Sequence, residues 1–210
     1  MTTRRLAVTG LIGLALPAGL AALAPRRAHA QAARYELDPD HLVVAFLVDH
    51  IGYAKVLGMF RSARGSYRFD EASATLTELR VEVDTDSVFT NQRKRDDHLK
   101  GPDFLHSAQH PRLVFSAAGA RRVGERRFEI TGELELIGRR QPLTLQATWN
   151  KSAESPIGGG FAGLGRRPYV MGVSARGSFR RSAFGMDYGV ANGWVGDEVE
   201  LILEFEAIRR

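Results

Sequence analysis

The 210-residue chain contains no cysteine. Disulfide bonds, thiolate nucleophiles and cysteine-ligated metal sites are therefore excluded, although a chain without cysteine is compatible with an oxidising compartment. The sequence also lacks the serine-centred elbow of hydrolases and the paired histidines of zinc peptidases, so neither motif points to catalysis. No internal repeat and no second domain is visible, which fits one domain of this length.

Residues 1–30 have the features of an export signal. Arg4 and Arg5 form a positively charged start, Leu6–Ala24 is apolar, and Ala28–Ala30 is a cleavage site of small residues around one histidine. We expect cleavage after residue 30 and a periplasmic mature protein. The alternative is a retained anchor, because the apolar stretch could nearly span a bilayer. The arginine pair fits either the twin-arginine route or the general export route.

Acidic and basic residues nearly balance once this segment is set aside. Four of the 29 basic residues and none of the 24 acidic ones lie in residues 1–30, so the remainder carries 25 basic against 24 acidic side chains. A chain with so little net charge has no general attraction for nucleic acid, and we expect no nucleic-acid partner.

Alternating apolar and polar residues predict an all-β domain over residues 31–210. Short strands separated by turns favour an antiparallel barrel or sandwich. Outward positions such as Glu129 and Glu204 are charged, whereas a barrel in an outer membrane would be apolar there. The predicted strands are Leu42–Val48, Gly65–Asp70, Leu76–Thr85, Leu113–Phe115, Phe128–Leu136, Leu143–Trp149, Met171–Phe179 and Val199–Ala207.

One helical insertion interrupts these strands at about residues 91–101. The densest charge cluster of the chain, Arg93–His98, lies there, and Gly101-Pro102 ends any helix. A second, short helix is expected near residues 50–56. A single helical insertion in a β-rich chain is expected at a barrel mouth or as an end cap.

Five spaced motifs stand out: Ser87-x-x-Thr90, Arg95-Asp96-x-His98-Leu99, Asp103-Phe104-Leu105, His110-Pro111-x-x-x-Phe115 and Arg181-Ser182-Ala183-Phe184-Gly185-Met186. They resemble the YceI-like family, and the resemblance covers nearly all of residues 34–208. It implies an antiparallel, lipocalin-like β-barrel of about eight strands for residues 31–210. Glu135 and Arg140 depart from the family pattern, in which threonine is usual at both positions.

The resemblance also implies a function. It predicts a periplasmic protein that binds a long apolar lipid inside the barrel, with no required cofactor. The implied ligand is a polyisoprenoid, a quinone-like tail or a fatty-acyl chain. A carrier that exchanges such a lipid with a bilayer is expected to contact the membrane transiently.

Inward-facing apolar side chains are the predicted ligand contacts. Periodicity alone does not separate a filled barrel from a hollow one, and it is the resemblance that favours a tunnel open near the helical insertion and closed at the other end. The predicted lining comprises Val44, Phe46, Val48, Tyr67, Phe69, Val81, Val83, Leu113, Phe115, Leu134, Leu136, Phe179, Leu201 and Leu203.

The charged residues around the helical insertion have two interpretations. In the first they are structural and fix the insertion to the barrel by charge-assisted hydrogen bonds. The residues of this group are Arg95, Asp96, His98, Asp103 and Phe104. In the second the protein is an enzyme or a metal-binding protein, although the spacing fits no metal-ligand motif. The residues of that alternative site are Asp96, His98, His106 and His110.

Apolar residues on the outside of the first strand predict association. In the register that points Val44 inward, Val43, Ala45 and Leu47 form an apolar stripe on the outer face. A monomer would leave such a stripe in contact with water, so we expect a homodimer.

Overall fold

The computed structural model describes residue 2, residues 32–157, residue 165 and residues 167–210. The predicted signal segment, residues 1–30, therefore lies outside the described residues except for Thr2, and its cleavage stays a prediction. Within the described residues, no helix combines the length and the apolar character needed to cross a membrane.

The described residues form eleven strands in one antiparallel sheet. The strands are β1 (Ala33–His50), β2 (Ala54–Phe60), β3 (Ala63–Asp70), β4 (Thr75–Asp84), β5 (Val88–Phe89), β6 (Arg112–Ala117), β7 (Arg121–Arg122), β8 (Arg127–Leu136), β9 (Arg139–Glu154), β10 (Tyr169–Arg180) and β11 (Val195–Arg209). Eight of them follow the order β11, β10, β9, β8, β6, β4, β3, β1, and β1 pairs back with β11 to close a barrel. The all-β, eight-stranded antiparallel barrel predicted from the sequence is confirmed.

β1 is the longest strand, with 18 residues, and it belongs to both halves of the barrel. Ala33–Glu36 pairs with β3, whereas Val44–His50 pairs with β2, and β11 accompanies both parts. The register shifts between Leu37 and Leu42, where Pro39 interrupts the ladder. An irregularity of this kind bends a strand, and proline is tolerated there because it donates no ladder hydrogen bond.

The expected short helix near residues 50–56 is wrong. Ile51 and Gly52 both have positive φ, 55° and 70°, and Ala54–Phe60 continues as β2, paired with Val44–His50. Two consecutive residues with positive φ form the hairpin turn whose twist matches that of the flanking strands. A helix of two turns would lose these ladder hydrogen bonds. Its first turn would also be costly to form, because several residues must be fixed for one hydrogen bond.

The predicted helical insertion is one α-helix, α1 (Arg93–Lys100), followed by turns that lead to β6. The side chain of Gln92 accepts a hydrogen bond from the Arg95 backbone N–H at 2.7 Å and caps the first turn. Phe104 and Leu105, just after the helix, are buried in the core. The insertion is therefore fixed by its cap and by the apolar turn that follows it.

The strand directions define two ends of the barrel. β1, β4, β8 and β10 end on the side that carries α1, and β6, β9 and β11 begin there. We call this end the mouth and the opposite end the base. The β1–β2 turn and the loop between β10 and β11 complete the mouth.

Tyrosine side chains close the base. The rings of Tyr35 and Tyr67 stack with centroids 5.2 Å apart. The hydroxyls of Tyr35 and Tyr169 donate to the two oxygens of Glu71, at 2.5 and 3.0 Å. Burial is the main cause that raises the pKa of both Tyr35 and Tyr67 above its ordinary value, so the two phenols stay neutral.

Candidate functional site

An apolar cavity of about 380 Å³ lies just inside the mouth, beneath the segment that contains α1. Small-molecule sites typically measure about 300–1,000 Å³, so the cavity is large enough to hold a ligand. It lies where the sequence predicted the tunnel to open. Its wall includes six of the predicted lining residues: Phe46, Val48, Leu113, Leu136, Phe179 and Leu201.

The mouth cavity does not reach six further predicted lining residues. We call this group the central belt; its members are Val44, Val81, Val83, Phe115, Leu134 and Leu203, and none of them lines the cavity. Three of them form one cross-strand layer, in which Phe115 pairs with Val81 on one side and with Leu134 on the other. Val83 and Leu134 are each only 2% exposed. A Cβ added at Gly132 would lie 2.8 Å from Cζ of Phe115, so the glycine lets the Phe115 ring lie against the neighbouring strand β8. Phe115 and Leu134 are part of the hydrophobic core, and Val81 and Leu203 pack against it.

The last two predicted lining residues, Tyr67 and Phe69, lie below the belt. They line a smaller cavity of about 60 Å³ that shares no residue with the mouth cavity. The Phe69 ring meets the ring of Trp149 edge-on at 5.4 Å, and the Tyr67 hydroxyl donates to Met171 Sδ at 3.2 Å. In place of the expected single tunnel, the described residues form a mouth cavity and a small base cavity with the belt between them.

Interlocking hydrogen bonds at Thr90 hold the roof of the mouth cavity. Asp96 Oδ1 accepts from the Thr90 backbone N–H at 2.8 Å and from its hydroxyl at 2.5 Å. Arg95 donates from Nε to Thr90 Oγ1 at 2.7 Å and from Nη2 to the Thr90 carbonyl at 2.8 Å. Since Thr90 is only 6% exposed, these bonds tie the start of α1 to a buried point of the wall. This geometry suits the structural role predicted for Arg95 and Asp96.

An aromatic cluster forms the rest of the roof. The His98 ring lies 5.0 Å from the rings of Phe104 and Tyr188, which are 5.4 Å from each other. His98 Nε2 is 2.8 Å from Asp103 Oδ2. The His98–Asp103 pair thus adds a polar edge to the roof, where Arg95 also lines the cavity.

A buried arginine fixes the other side of the mouth. Arg181 is 2% exposed, and its guanidinium carbon lies 5.6 Å from the centroid of the Phe104 ring. Burial lowers the pKa of Arg181, while Asp197 and Asp187 act in the opposite direction; arginine stays protonated in proteins all the same. It donates at 2.7–2.9 Å to the carbonyl oxygens of Met186, Tyr188, Val195 and Gly196. These bonds set the shape of the β10–β11 loop.

The residues of the alternative enzyme or metal site do not converge. These residues are Asp96, His98, His106 and His110, and no three of them place ligand atoms within 4.8 Å of one another. In the described part of the chain such a grouping occurs at Asp38, His41 and Glu206, outside the barrel. There His41 Nδ1 is 2.8 Å from Asp38 Oδ2 and forms an ion pair that raises the pKa of His41. The geometry around α1 does not favour a metal centre.

A profile of the YceI-like domain matches residues 35–207. The chain belongs to the YceI-like family. Protein YceI of Escherichia coli O157:H7 is 32% identical over 185 residues, which cover 86% of this chain and 90% of that protein. The structure of the Campylobacter jejuni YceI protein aligns with a TM-score of 0.67 at 25% identity, over 77% of this chain and 90% of that one. The family membership predicted from the spaced motifs is confirmed.

A polyisoprenoid binding domain from Saccharophagus degradans has the same fold. It aligns with a TM-score of 0.58 at 11% sequence identity and covers 85% of this YceI-like chain and 99% of that one. At such low identity the likeness concerns the fold alone.

The loop side of the mouth was not predicted from the sequence. Arg181 was noted as part of a family motif but received no role, because an arginine between strands is usually exposed. Tyr188 and Trp194 stand in a glycine-rich stretch without periodicity, and both line the cavity. The presence of two aromatic residues in a glycine-rich stretch was the sequence feature that could have indicated this side of the mouth.

Proposed function

We propose that this YceI-like protein carries an apolar lipid through the periplasm with the lipid chain in the mouth cavity. The main support for this proposal is the apolar wall of the mouth cavity. There Phe46, Phe179 and Leu201 surround a space that the central belt closes below. The export signal predicted at residues 1–30 supports the periplasmic location. The Saccharophagus domain, described as polyisoprenoid binding, supports a ligand of that class; a quinone-like tail or a fatty-acyl chain satisfies the same wall.

The free energy of moving a lipid from a bilayer into the cavity favours a carrier that exchanges its lipid over a protein that holds it permanently. Each methylene taken from water contributes about 0.8 kcal/mol, but a lipid in a bilayer is already out of water. The net preference for the cavity is then small, and exchange in both directions is feasible. Since the cavity does not extend into the belt, the chain enters from the mouth and its head group stays near His98 and Arg95.

The outer face of β1 supports a homodimer, with one correction to the predicted stripe. Val43 is 41% exposed and Leu57, which lies beside Leu47 on β2, is 53% exposed. Ala45 is only 5% exposed because its small side chain lies between its neighbours on β2 and β11. The apolar surface therefore runs across β1 and β2, and we propose that a second copy covers it.

The test combines lipid occupancy with stability in two matched variants. Leu201 and Leu203 lie two residues apart on the inward face of β11; the first lines the cavity and the second belongs to the belt. Leu201→Trp should fill the cavity and abolish lipid occupancy, as measured by intact mass before and after solvent extraction. Its melting temperature should stay close to that of delipidated unaltered protein.

Leu203→Trp is the control. In a packed core the larger ring should cost about 1–3 kcal/mol while the mouth cavity remains. Lipid that persists in folded Leu201→Trp, or unaltered protein from the native envelope that never holds lipid, would refute the proposed function.

A further inference from the structure

Four large exposed side chains surround the opening of the cavity. Ile51 is 48% exposed, Tyr53 89%, Tyr188 39% and Trp194 54%. We call these four residues, one isoleucine and three aromatic residues, the aromatic rim. Ile51, Tyr188 and Trp194 also line the cavity, so apolar surface continues from inside the barrel to the outside. At the base, Val123 and Ile157 are exposed singly, and isolated apolar residues of that kind are ordinary.

Two segments present the rim as one surface. The backbone N–H of Ile51, in the β1–β2 turn, donates to the Trp194 carbonyl in the β10–β11 loop at 3.2 Å. Asn192 Oδ1 accepts from the Trp194 N–H at 3.1 Å and fixes the turn that carries the indole. The first of these hydrogen bonds therefore holds the β1–β2 turn against the β10–β11 loop.

Ile51 occupies a backbone conformation that suits it poorly. Its φ is 55°, in the left-handed region where a β-branched residue is a genuine outlier and where asparagine or glycine is favoured. Ile137 has a φ of 44° in the equivalent β8–β9 turn, but it packs against the core, which accounts for it. Ile51 is not among the residues packed against the core, so its strained backbone keeps a half-exposed apolar side chain at the edge of the cavity opening.

We propose that the aromatic rim docks on the surface of a phospholipid bilayer, and that lipid enters and leaves the cavity through this contact. The inference rests on the proposed carrier function and names the partner of its site. Tryptophan and tyrosine favour the membrane–water interface because their rings are apolar with one polar edge. Lys55, two residues after Tyr53 in the chain, is paired with Glu200. The rim residues themselves are uncharged, so docking through them should depend little on anionic lipid or salt.

The indole of Trp194 reports on docking directly. The chain has two tryptophans, so Trp149→Phe leaves Trp194 as the single fluorophore. Its emission should shift to the blue with vesicles of phosphatidylcholine alone, and phosphatidylcholine brominated on its acyl chains should quench it. An unchanged spectrum overturns the proposal.

Rim variants separate docking from folding. Ile51→Asn should reduce co-sedimentation with the same vesicles several-fold and should not lower the melting temperature, because asparagine tolerates positive φ. Trp194→Ser should weaken docking to a similar extent. Val123→Asn and Ile157→Asn, at the base, are the matched controls and should dock like unaltered protein.

Three outcomes overturn the proposal. The first is equal loss of docking in rim and base variants. The second is docking that requires phosphatidylglycerol and disappears with salt. The third is a dimer that becomes a monomer in Trp194→Ser while the unaltered protein ignores vesicles. Intact-mass measurement of lipid occupancy distinguishes the docking proposal from the carrier function. A protein that holds lipid but never binds vesicles would contradict the docking proposal without contradicting the carrier function.

Discussion

Replacing Asp96 by alanine is expected to destabilise the roof of the mouth cavity. The Asp96 carboxylate accepts both the backbone N–H and the hydroxyl of Thr90, which is only 6% exposed. Hydrogen bonds to a charged group contribute about 1.5–3 kcal/mol, and an orphaned buried donor carries a similar penalty. The two bonds share one oxygen at a partly exposed carboxylate, so we expect a total loss of roughly 2–3 kcal/mol. For a domain of this size that lowers the melting temperature by roughly 4–12 °C.

The assay is thermal unfolding of delipidated protein followed by circular dichroism. Asp97→Ala is the matched control, because Asp97 is 65% exposed and its oxygen lies 3.9 Å from Arg93 Nε. Exposed pairs contribute only about 0–1 kcal/mol, so this variant should unfold close to the unaltered protein. Asp96→Asn keeps an acceptor oxygen without the charge and should fall between the two.

Two results would refute this reasoning. Equal destabilisation in Asp96→Ala and Asp97→Ala would mean that the bonds to Thr90 are not the cause. Unchanged stability in Asp96→Ala, together with loss of a measurable activity, would mean that Asp96 acts chemically.

Three further predictions follow from the belt, the outer face and the leader. Leu134→Ala should open the belt toward the base cavity, at a cost of about 2–5 kcal/mol, and shift the bound lipids toward longer chains in mass spectra; an unchanged lipid profile would contradict this. Leu47→Glu should give a folded monomer by light scattering, unless the unaltered protein is already monomeric. N-terminal sequencing should find Gln31, and joint change of Arg4 and Arg5 to lysine should block export only on the twin-arginine route.

Strand positions could be predicted because alternation records which face of a strand meets the core. Tyr67 and Phe69 followed from this pattern, and both line the base cavity. The first strand is apolar on both faces, so the inward register of Val44, Phe46 and Val48 came from the family resemblance instead, and Phe46 and Val48 line the mouth cavity. The pattern says nothing about height along the barrel. Whether an inward residue lines a space or fills the core depends on how its ring or chain lies against the neighbouring strands, as Phe115 lies against Gly132 of β8.

Turn chemistry explains the one wrong element. In the β1–β2 connection Ile51 occupies a position where asparagine or glycine would have predicted a hairpin turn. Gly52 was the one residue of the turn that indicated it. The helical insertion was easier to predict, since its charge cluster and Gly101-Pro102 mark both ends. Its attachment to Thr90 was harder, because charge spacing does not reveal which buried group a carboxylate accepts from.

The barrel has a cavity of about 380 Å³ at the mouth and one of only about 60 Å³ at the base, which shows how one domain can hold a large cavity and remain folded. An unfilled space forfeits dispersion contacts along its wall, and the base offsets this loss with stacked tyrosines tied to Glu71. At the mouth the wall is completed by β2, where Gly58 leaves room for the Phe46 ring to lie across the strand. β1 belongs to both regions, so the strand that closes the barrel also connects the tyrosine-capped base to the half that holds the mouth cavity.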